Sequence, residues 1–196
     1  METTSKPPEL VCGLDLAAKP KNPSALAFIE KKTLNVKLLT LHGDEEIVQA
    51  ITSVKPVITA IDAPLSLPKS GGAYRKAELL LRHVYGCKTL PLTLSSMKKL
   101  YERGVKIASL LGKAGLKVIE VHPSSTRKIL GWKGLTLDEL KAKLVETGLK
   151  GDVKRRKISK DEVDAILAAV TALYYLARKA TAVGDPKEGV IVIPNP

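Results

Sequence analysis

The stretch that decides the fold is VITAIDAPLSLP, residues 57–68. Its first five residues are mostly apolar and β-branched, which is typical of a strand buried on both faces of a parallel sheet. Proline cannot donate a hydrogen bond to a neighbouring strand, so we expect this strand to end near Pro64. Asp62 then lies at the carboxyl end of a central strand, where open α/β sheets have their functional sites. Position alone explains Asp62 equally well as a site carboxylate or as a cap of the turn before Pro64.

The first strand, VCGLDLAAK at residues 11–19, supplies a second acid. Side chains alternate along a strand, so Asp15 shares a face with Gly13 and has small neighbours there, with room for a ligand. An aspartate on an edge strand that faces water is the alternative. Two further strands, at residues 24–30 and 36–41, follow after short polar turns and predict an antiparallel meander. A helix before the strand of Asp62 then suits a mixed sheet.

Later segments present three more acids. Glu120 shares a strand face with His122 in LKVIEVH, and His122 is interpreted either as a general base or as a structural residue. Asp161 and Asp164 are three residues apart at the start of a long helix and therefore lie on one face. Asp164 stands among apolar residues, which favours a site role; an ion pair with Lys160 is the alternative.

Composition indicates one α/β domain. The chain has 196 residues, of which 44% are hydrophobic, enough for a single core spanning residues 1–196. Within it we expect residues 1–9 to form a flexible tail and residues 69–113 to form a basic helical insertion that acts as a lid or clamp. Two distant cysteines, a polar start and the absence of a long apolar run predict a cytoplasmic protein with reduced thiols and no membrane span.

The net charge of +12 is concentrated in two segments. Residues 69–113 contain ten Lys/Arg against two Asp/Glu, and residues 150–160 contain six against one. Such concentration favours a polyanionic partner, nucleic acid first, over a merely solvated lysine-rich surface. The oligomeric state stays open, with a homodimer as one option. The predicted contacts to nucleic acid are Arg75, Arg82, Arg127, Lys154, Arg155, Arg156 and Lys157.

Carboxylates from several elements predict a site for a hard divalent cation. Such ions are bound by one or two carboxylates together with substrate oxygens and water. Two of them, about 3.5–4 Å apart, can hold the attacking and leaving oxygens of a phosphodiester. The oxygen-rich set without cysteine favours Mg²⁺ or Mn²⁺ over Zn²⁺. We predict Asp15, Asp62 and Asp164 as metal ligands and catalytic residues, with Asp161 and Glu120 as further catalytic candidates.

At these residues a family resemblance is visible. The order of acids resembles that of the RNase H-like superfamily, and the pair Asp161 and Asp164 resembles that of the RuvC-type Holliday-junction resolvases. The strings GLDLA, IDAPLSLP, VIEVHPSSTRKILG and DEVDAILAAVTA resemble an uncharacterised family of predicted nucleases with an RNase H-like fold.

The resemblance implies a mixed sheet of three antiparallel strands followed by parallel strands, with helices on both faces. It carries the roles of first-strand, fourth-strand and late-helix acid over to Asp15, Asp62 and Asp164. The glutamate usual on the first helix of RNase H enzymes has no clear counterpart, because Glu45 and Glu46 stand at that helix's start.

Three functions are consistent with the sequence. The first is a Mg²⁺- or Mn²⁺-dependent nuclease or related phosphodiester hydrolase acting on DNA or RNA. The second is a small-molecule phosphoryl-transfer enzyme of related core, although Leu16 and Ala17 follow Asp15 where such enzymes have a Gly-Thr/Ser phosphate loop. The third is a non-catalytic protein that binds nucleic acid through its backbone, since only 4% of the residues are aromatic.

Overall fold

A computed structural model describes residues 8–195 as alternating strands and helices. The first half of the chain forms β1 (Leu10–Asp15), β2 (Ser24–Glu30), β3 (Asn35–Leu41), α1 (Asp44–Val54), β4 (Ile58–Asp62), α2 (Lys76–His83) and α3 (Ser95–Lys113). The second half forms β5 (Val118–Glu120), α4 (Pro123–Ile129), α5 (Leu137–Glu146), β6 (Lys150–Gly151), α6 (Asp152–Arg155), α7 (Lys160–Leu176), β7 (Ala180–Asp185) and β8 (Gly189–Pro194).

Six strands form one mixed sheet in the order β5-β4-β1-β2-β3-β6. The strands β1, β2 and β3 are an antiparallel meander, whereas β4 is parallel to β1 and β5 is parallel to β4. The predicted mixed sheet is therefore confirmed. Because β4 lies between β5 and β1, its apolar residues are buried on both faces, as its sequence indicates.

Helices cover both faces of this sheet. On one face α7 packs its small and apolar side chains against β1, β2 and β4. On the other face α1 and α3 bury four residues that are completely inaccessible, Ile47, Ile51, Ile107 and Leu111. Full burial of a side chain of this size stabilises the fold by about 1.5–3 kcal/mol. The sheet thus forms the middle layer of three.

The basic segment at residues 69–113 contributes to the core through α3. Gly104 of α3 allows close contact, because a Cβ there would lie 2.9 Å from Ala63 Cβ and 3.2 Å from Pro64 O. The helix therefore packs directly on the residues that follow Asp62. Its role as a lid or clamp, like the single-domain organisation with an insertion, stays a prediction.

A small second sheet, β7 and β8, completes the fold. The strand β8 pairs with β7 in antiparallel fashion, and a bridge between Val121 and Val192 joins it to the end of β5 in the large sheet. The predicted tail lies outside the described residues except at its end, where Lys31 N donates to Glu9 O at 2.9 Å. Within the described chain, none of the helices combines the length and apolar character needed to cross a bilayer.

Candidate active site

Two aspartates on adjacent strands form the centre of the candidate site. Asp15 and Asp62 end β1 and β4 and are direct partners in the parallel register of these strands. Register partners in parallel strands point to the same face, and neighbouring strands lie about 4.8 Å apart. The structure therefore brings these two predicted site residues together at the carboxyl edge of the sheet, on the side covered by α7.

A glycine on β1 allows α7 to reach this pair. A Cβ at Gly13 would lie 2.1 Å from Ala165 O and 2.4 Å from Ala169 N, so the helix backbone rests directly on the strand. The small face around Asp15, expected to leave room for a ligand, is instead filled by α7 at this point. This contact brings the start of α7, with Asp161 and Asp164, towards Asp15.

The carboxylates repel one another in a partly buried setting. Burial, followed by the charges of Asp164 and Asp161, raises the pKa of Asp15 from 3.8 to about 7. Burial likewise raises the pKa of Asp62 well above its ordinary value, with Asp15 and Asp164 as the next contributors. Lys160 opposes both shifts. Ionisation of both carboxylates is therefore unfavourable in the metal-free protein, and a bound cation would offset that cost.

Asp164 is paired with an arginine. Arg127 Nη2 on α4 donates to Asp164 Oδ1 at 2.5 Å, whereas the sequence suggested Lys160 as the partner. The pKa of Asp164 is nevertheless raised, because burial outweighs the opposing effect of Arg127. The buried Nε of Arg127 has no acceptor within residues 8–195. Arg127, predicted to contact nucleic acid, is thus already engaged in the site.

Glu120 belongs to a buried ion-pair network centred on Arg75. Arg75 is 0% exposed, and its guanidinium donates to Glu78, Glu120 and Ser66 Oγ. Glu120 also accepts a hydrogen bond from Leu65 N at 2.8 Å, which ties β5 to the segment after Asp62. The predicted contact of Arg75 with nucleic acid is wrong in this structure, because the side chain has no solvent-accessible surface. Its ion pairs and hydrogen bonds join α2 and β5 to the loop after Asp62.

The other residues predicted to contact nucleic acid differ in whether their side chains are exposed or already paired. Arg82 is exposed and stacks over Tyr74, with 5.0 Å from its guanidinium carbon to the ring centre. Arg156 pairs with Glu162 at 2.6 Å. The remaining basic residues of this segment, Lys154, Arg155 and Lys157, are exposed. They lie between the β6 edge of the sheet and the start of α7, so their segment leads towards the aspartates.

Two residues near the site have parts that the sequence did not define. Lys160, the first residue of α7, opposes the rise in the pKa of both Asp15 and Asp62, whereas the sequence offered it only as an ion-pair partner of Asp164. His122, whose role the sequence left open, caps α4, and its Nδ1 lies 2.7 Å from Ser125 Oγ. Burial lowers the pKa of His122 to about 4, so the imidazole is neutral at neutral pH.

The donor chemistry of the site fits a hard divalent cation. Asp15 and Asp62 offer adjacent carboxylates, and burial followed by the neighbouring acids raises the pKa of both, so a bound cation would favour their ionised forms. No group of three or more His, Cys, Asp or Glu side chains within residues 8–195 is arranged to hold a metal ion. The predicted third ligand, Asp164, is directed to Arg127 instead. The pair therefore fits a cation, and the metal itself stays a prediction.

The fold of the protein is RNase H-like. The structure of Thermus thermophilus RuvC is similar, with a TM-score of 0.51 and 14% identity over 86% of this chain and 96% of that chain. T. thermophilus RuvC in complex with a Holliday junction substrate gives a TM-score of 0.55 and 14% identity over 87% and 96%, respectively. At this identity the likeness shows the fold.

The sequence then gives the family. Residues 13–188 match the family described as "Protein of unknown function (DUF429)", and the chain belongs to that family. A search of curated proteins gave no significant match. The matched range includes all five predicted catalytic residues.

Proposed function

We propose that the protein is a nuclease that hydrolyses phosphodiester bonds of DNA or RNA with the help of Mg²⁺ or Mn²⁺. The observation that carries this proposal is the register pair Asp15 and Asp62, two partly buried carboxylates with raised pKa values at the carboxyl edge of the sheet. The RNase H-like fold supports it, since one structural neighbour is a RuvC protein in complex with a Holliday junction substrate.

Each residue has a defined part in this proposal. Asp15 and Asp62 would hold the cation, which supplies positive charge that stabilises the phosphate oxygens during displacement. Lys160 offers a further positive charge beside the pair, and Asp164, paired with Arg127, orients that arginine towards the same edge. Hydrolysis adds a water oxygen to phosphorus and breaks one P–O ester bond, with a proton passing to the leaving oxygen.

Basic surface supports a nucleic acid as the substrate. Lys154, Arg155 and Lys157 are exposed and precede α7, and the chain carries a net charge of +12. Contacts between such side chains and phosphates position the backbone without reading its sequence. We therefore expect binding that weakens steeply with salt.

The test is cleavage of labelled four-way junctions, duplexes and single strands of DNA and RNA, with Mg²⁺, Mn²⁺ or EDTA. Wild type should cut at least one substrate only with the metal, and Asp15→Asn and Asp62→Asn should reduce cutting to background. Asp138→Asn, at an exposed position on α5, is the matched control and should cut like wild type. Undiminished cutting by both site variants would refute the assignment.

One observation favours a second candidate, a non-catalytic nucleic-acid-binding protein. The ion pair between Arg127 and Asp164 occupies the carboxylate that a three-ligand metal site would use. This candidate predicts salt-dependent binding in EDTA that divalent metal does not change, together with no cutting of any substrate. The cleavage series above separates the two.

A further inference from the structure

A cleft of about 190 Å³ lies beside Asp62. It is bounded by the carboxyl ends of β4 and β5, by the segment that joins α2 to α3, and by β8. Drug-sized ligands occupy cavities of about 300–1,000 Å³, so this cleft fits a smaller group. Its position next to Asp62 means that the occupant would belong to, or stand next to, the reacting phosphodiester.

Two polar atoms in the lining lack partners. Thr89 is 8% exposed, and its buried Oγ1 makes no hydrogen bond within residues 8–195. His122 uses Nδ1 with Ser125, while its Nε2 makes no hydrogen bond to any described residue. Leaving a buried hydroxyl unpaired costs about 1–3 kcal/mol, and native proteins rarely accept this without a reason. A ligand in the cleft would reach His122 Nε2 directly, and it would reach the buried Thr89 Oγ1 once the threonine side chain rotates about its Cα–Cβ bond.

The charge of the lining excludes a phosphate. Among the described residues that line the cleft there is no Lys or Arg, whereas Asp62, Glu78 and Glu120 are present. The oxygens of Glu78 and Glu120 are engaged by Arg75. An anionic group would therefore be repelled, which leaves neutral or cationic groups as occupants.

The remaining walls are apolar. Leu92, Met97 and Leu100 contribute hydrophobic surface, with Met97 and Leu100 presented by α3. A flat heterocycle buries both of its faces on such walls and presents hydrogen-bonding atoms at its edge. Methionine adds favourable contacts between sulfur and an aromatic ring.

We propose that this cleft receives one nucleobase of the bound nucleic acid, unstacked from its neighbours, beside the phosphodiester that lies at Asp15 and Asp62. His122 Nε2 and, after rotation of its side chain, Thr89 Oγ1 contact the polar edge of the base, and Met97 contacts its face. The proposal rests on the proposed function, since it assumes a nucleic acid at this edge of the sheet. Enzymes that unstack a base read it by edge hydrogen bonds and apolar contacts, as this lining would.

Binding without cleavage gives the first test. Four-way junctions and single strands carrying 2-aminopurine at successive positions are titrated with protein in EDTA, because 2-aminopurine fluorescence rises when the base unstacks. Wild type should produce a several-fold rise at one position. Met97→Trp, which fills the cleft, should abolish the rise while anisotropy shows retained binding. Leu110→Trp, at an exposed position of the same helix, is the matched control and should behave like wild type.

Base preference gives the second test. In Mn²⁺, wild type should cut with a preference for one base at the position found by fluorescence, and an abasic residue there should slow cutting. Thr89→Val keeps the shape of the side chain but removes the hydroxyl, so it should flatten the preference without loss of stability.

The two proposals fail in different ways. Cutting with no fluorescence rise and no base preference would overturn the base-binding cleft and leave the nuclease intact. A fluorescence rise that Met97→Trp abolishes, without cutting by wild type, would support the cleft and contradict the nuclease. No binding of any oligonucleotide would overturn both.

Discussion

Replacing Asp15 with asparagine should stabilise the metal-free protein more at pH 8 than at pH 5. Burial, with smaller contributions from Asp164 and Asp161, raises the pKa of Asp15 from 3.8 to about 7 in the folded state. The folded state then binds a proton more tightly than the unfolded state between these values, so stability falls as pH rises from about 4 to 7. At about 1.4 kcal/mol per pH unit, the cost at pH 8 approaches about 4 kcal/mol.

About 2.5 kcal/mol of this cost arises between pH 5 and pH 8, because Asp15 is mostly protonated in the folded state at pH 5. Asparagine does not ionise, so the Asp15→Asn variant does not lose this part of the free energy of unfolding between pH 5 and pH 8. For a chain of this size, 1 kcal/mol shifts Tm by about 2–4 °C. Relative to wild type, the Tm of the variant should therefore be higher at pH 8 than at pH 5 by about 5–10 °C.

The assay is thermal unfolding at both pH values in EDTA, followed by circular dichroism and calorimetry. Asp138→Asn serves as the control, because Asp138 is exposed on α5 outside the carboxylate cluster, and its offset from wild type should be the same at both pH values. An equal offset for Asp15→Asn at the two pH values, or a larger advantage at pH 5, would refute the reasoning that burial makes ionisation of Asp15 unfavourable in the folded state.

Three further predictions follow from the contacts around the site. Mg²⁺ or Mn²⁺ should raise the Tm of wild type at pH 8, because a ligand that binds only the folded state stabilises it. The same ions should raise the Tm of Asp15→Asn less. Equal shifts in Tm would argue against a cation at Asp15. Gly13→Ala should lower the free energy of unfolding in urea by about 3 kcal/mol, because the methyl group would meet the α7 backbone. Gly112→Ala in α3, with open space around its Cβ, is its control and should leave stability unchanged or raise it by up to about 1 kcal/mol. Arg75→Met should lower the free energy of unfolding by about 3–5 kcal/mol, because it leaves two glutamates buried without a cation. Adding Glu120→Gln should restore part of this loss. If the effects of the two substitutions simply add, the ion-pair network is contradicted.

The positions of Asp15 and Asp62 were predictable because both depend on local patterns. Each ends a strand whose alternation or apolar run is visible in the sequence, and a proline limits the second strand soon after Asp62. The meander fixes the direction of β1, and the helix between β3 and β4 makes β4 parallel to it. Because β1 and β4 are parallel, their carboxyl ends lie at the same edge of the sheet. The two acids that end these strands are therefore neighbours.

The partners of charged residues were not predictable, because they depend on packing between distant elements. Arg75 stands in a basic segment, and its burial requires the simultaneous approach of α2, β5 and the loop after β4. Arg127 reaches Asp164 only because α4 packs against α7. The strand β7 was also missed, since ATAVGD contains a glycine, an aspartate and two alanines, all of which have low strand propensity.

Four arginines form ion pairs with acids outside the Asp15 and Asp62 pair. The internal pairs are Arg75 with Glu78 and Glu120, Arg103 with Asp44, Arg127 with Asp164, and Arg156 with Glu162. None of these arginines pairs with Asp15 or Asp62, whose charge is opposed mainly by Lys160 at the start of α7. A guanidinium bound to this aspartate pair would neutralise much of its charge and weaken the binding of a metal cation. The single exposed ammonium of Lys160 neutralises less of that charge and leaves the pair able to bind a metal cation. The exposed Lys154 and Lys157 precede the same helix, so a surface that attracts polyanions and an edge that attracts cations meet at one point. Such an arrangement favours a nucleic acid and a divalent cation as joint ligands over either one alone.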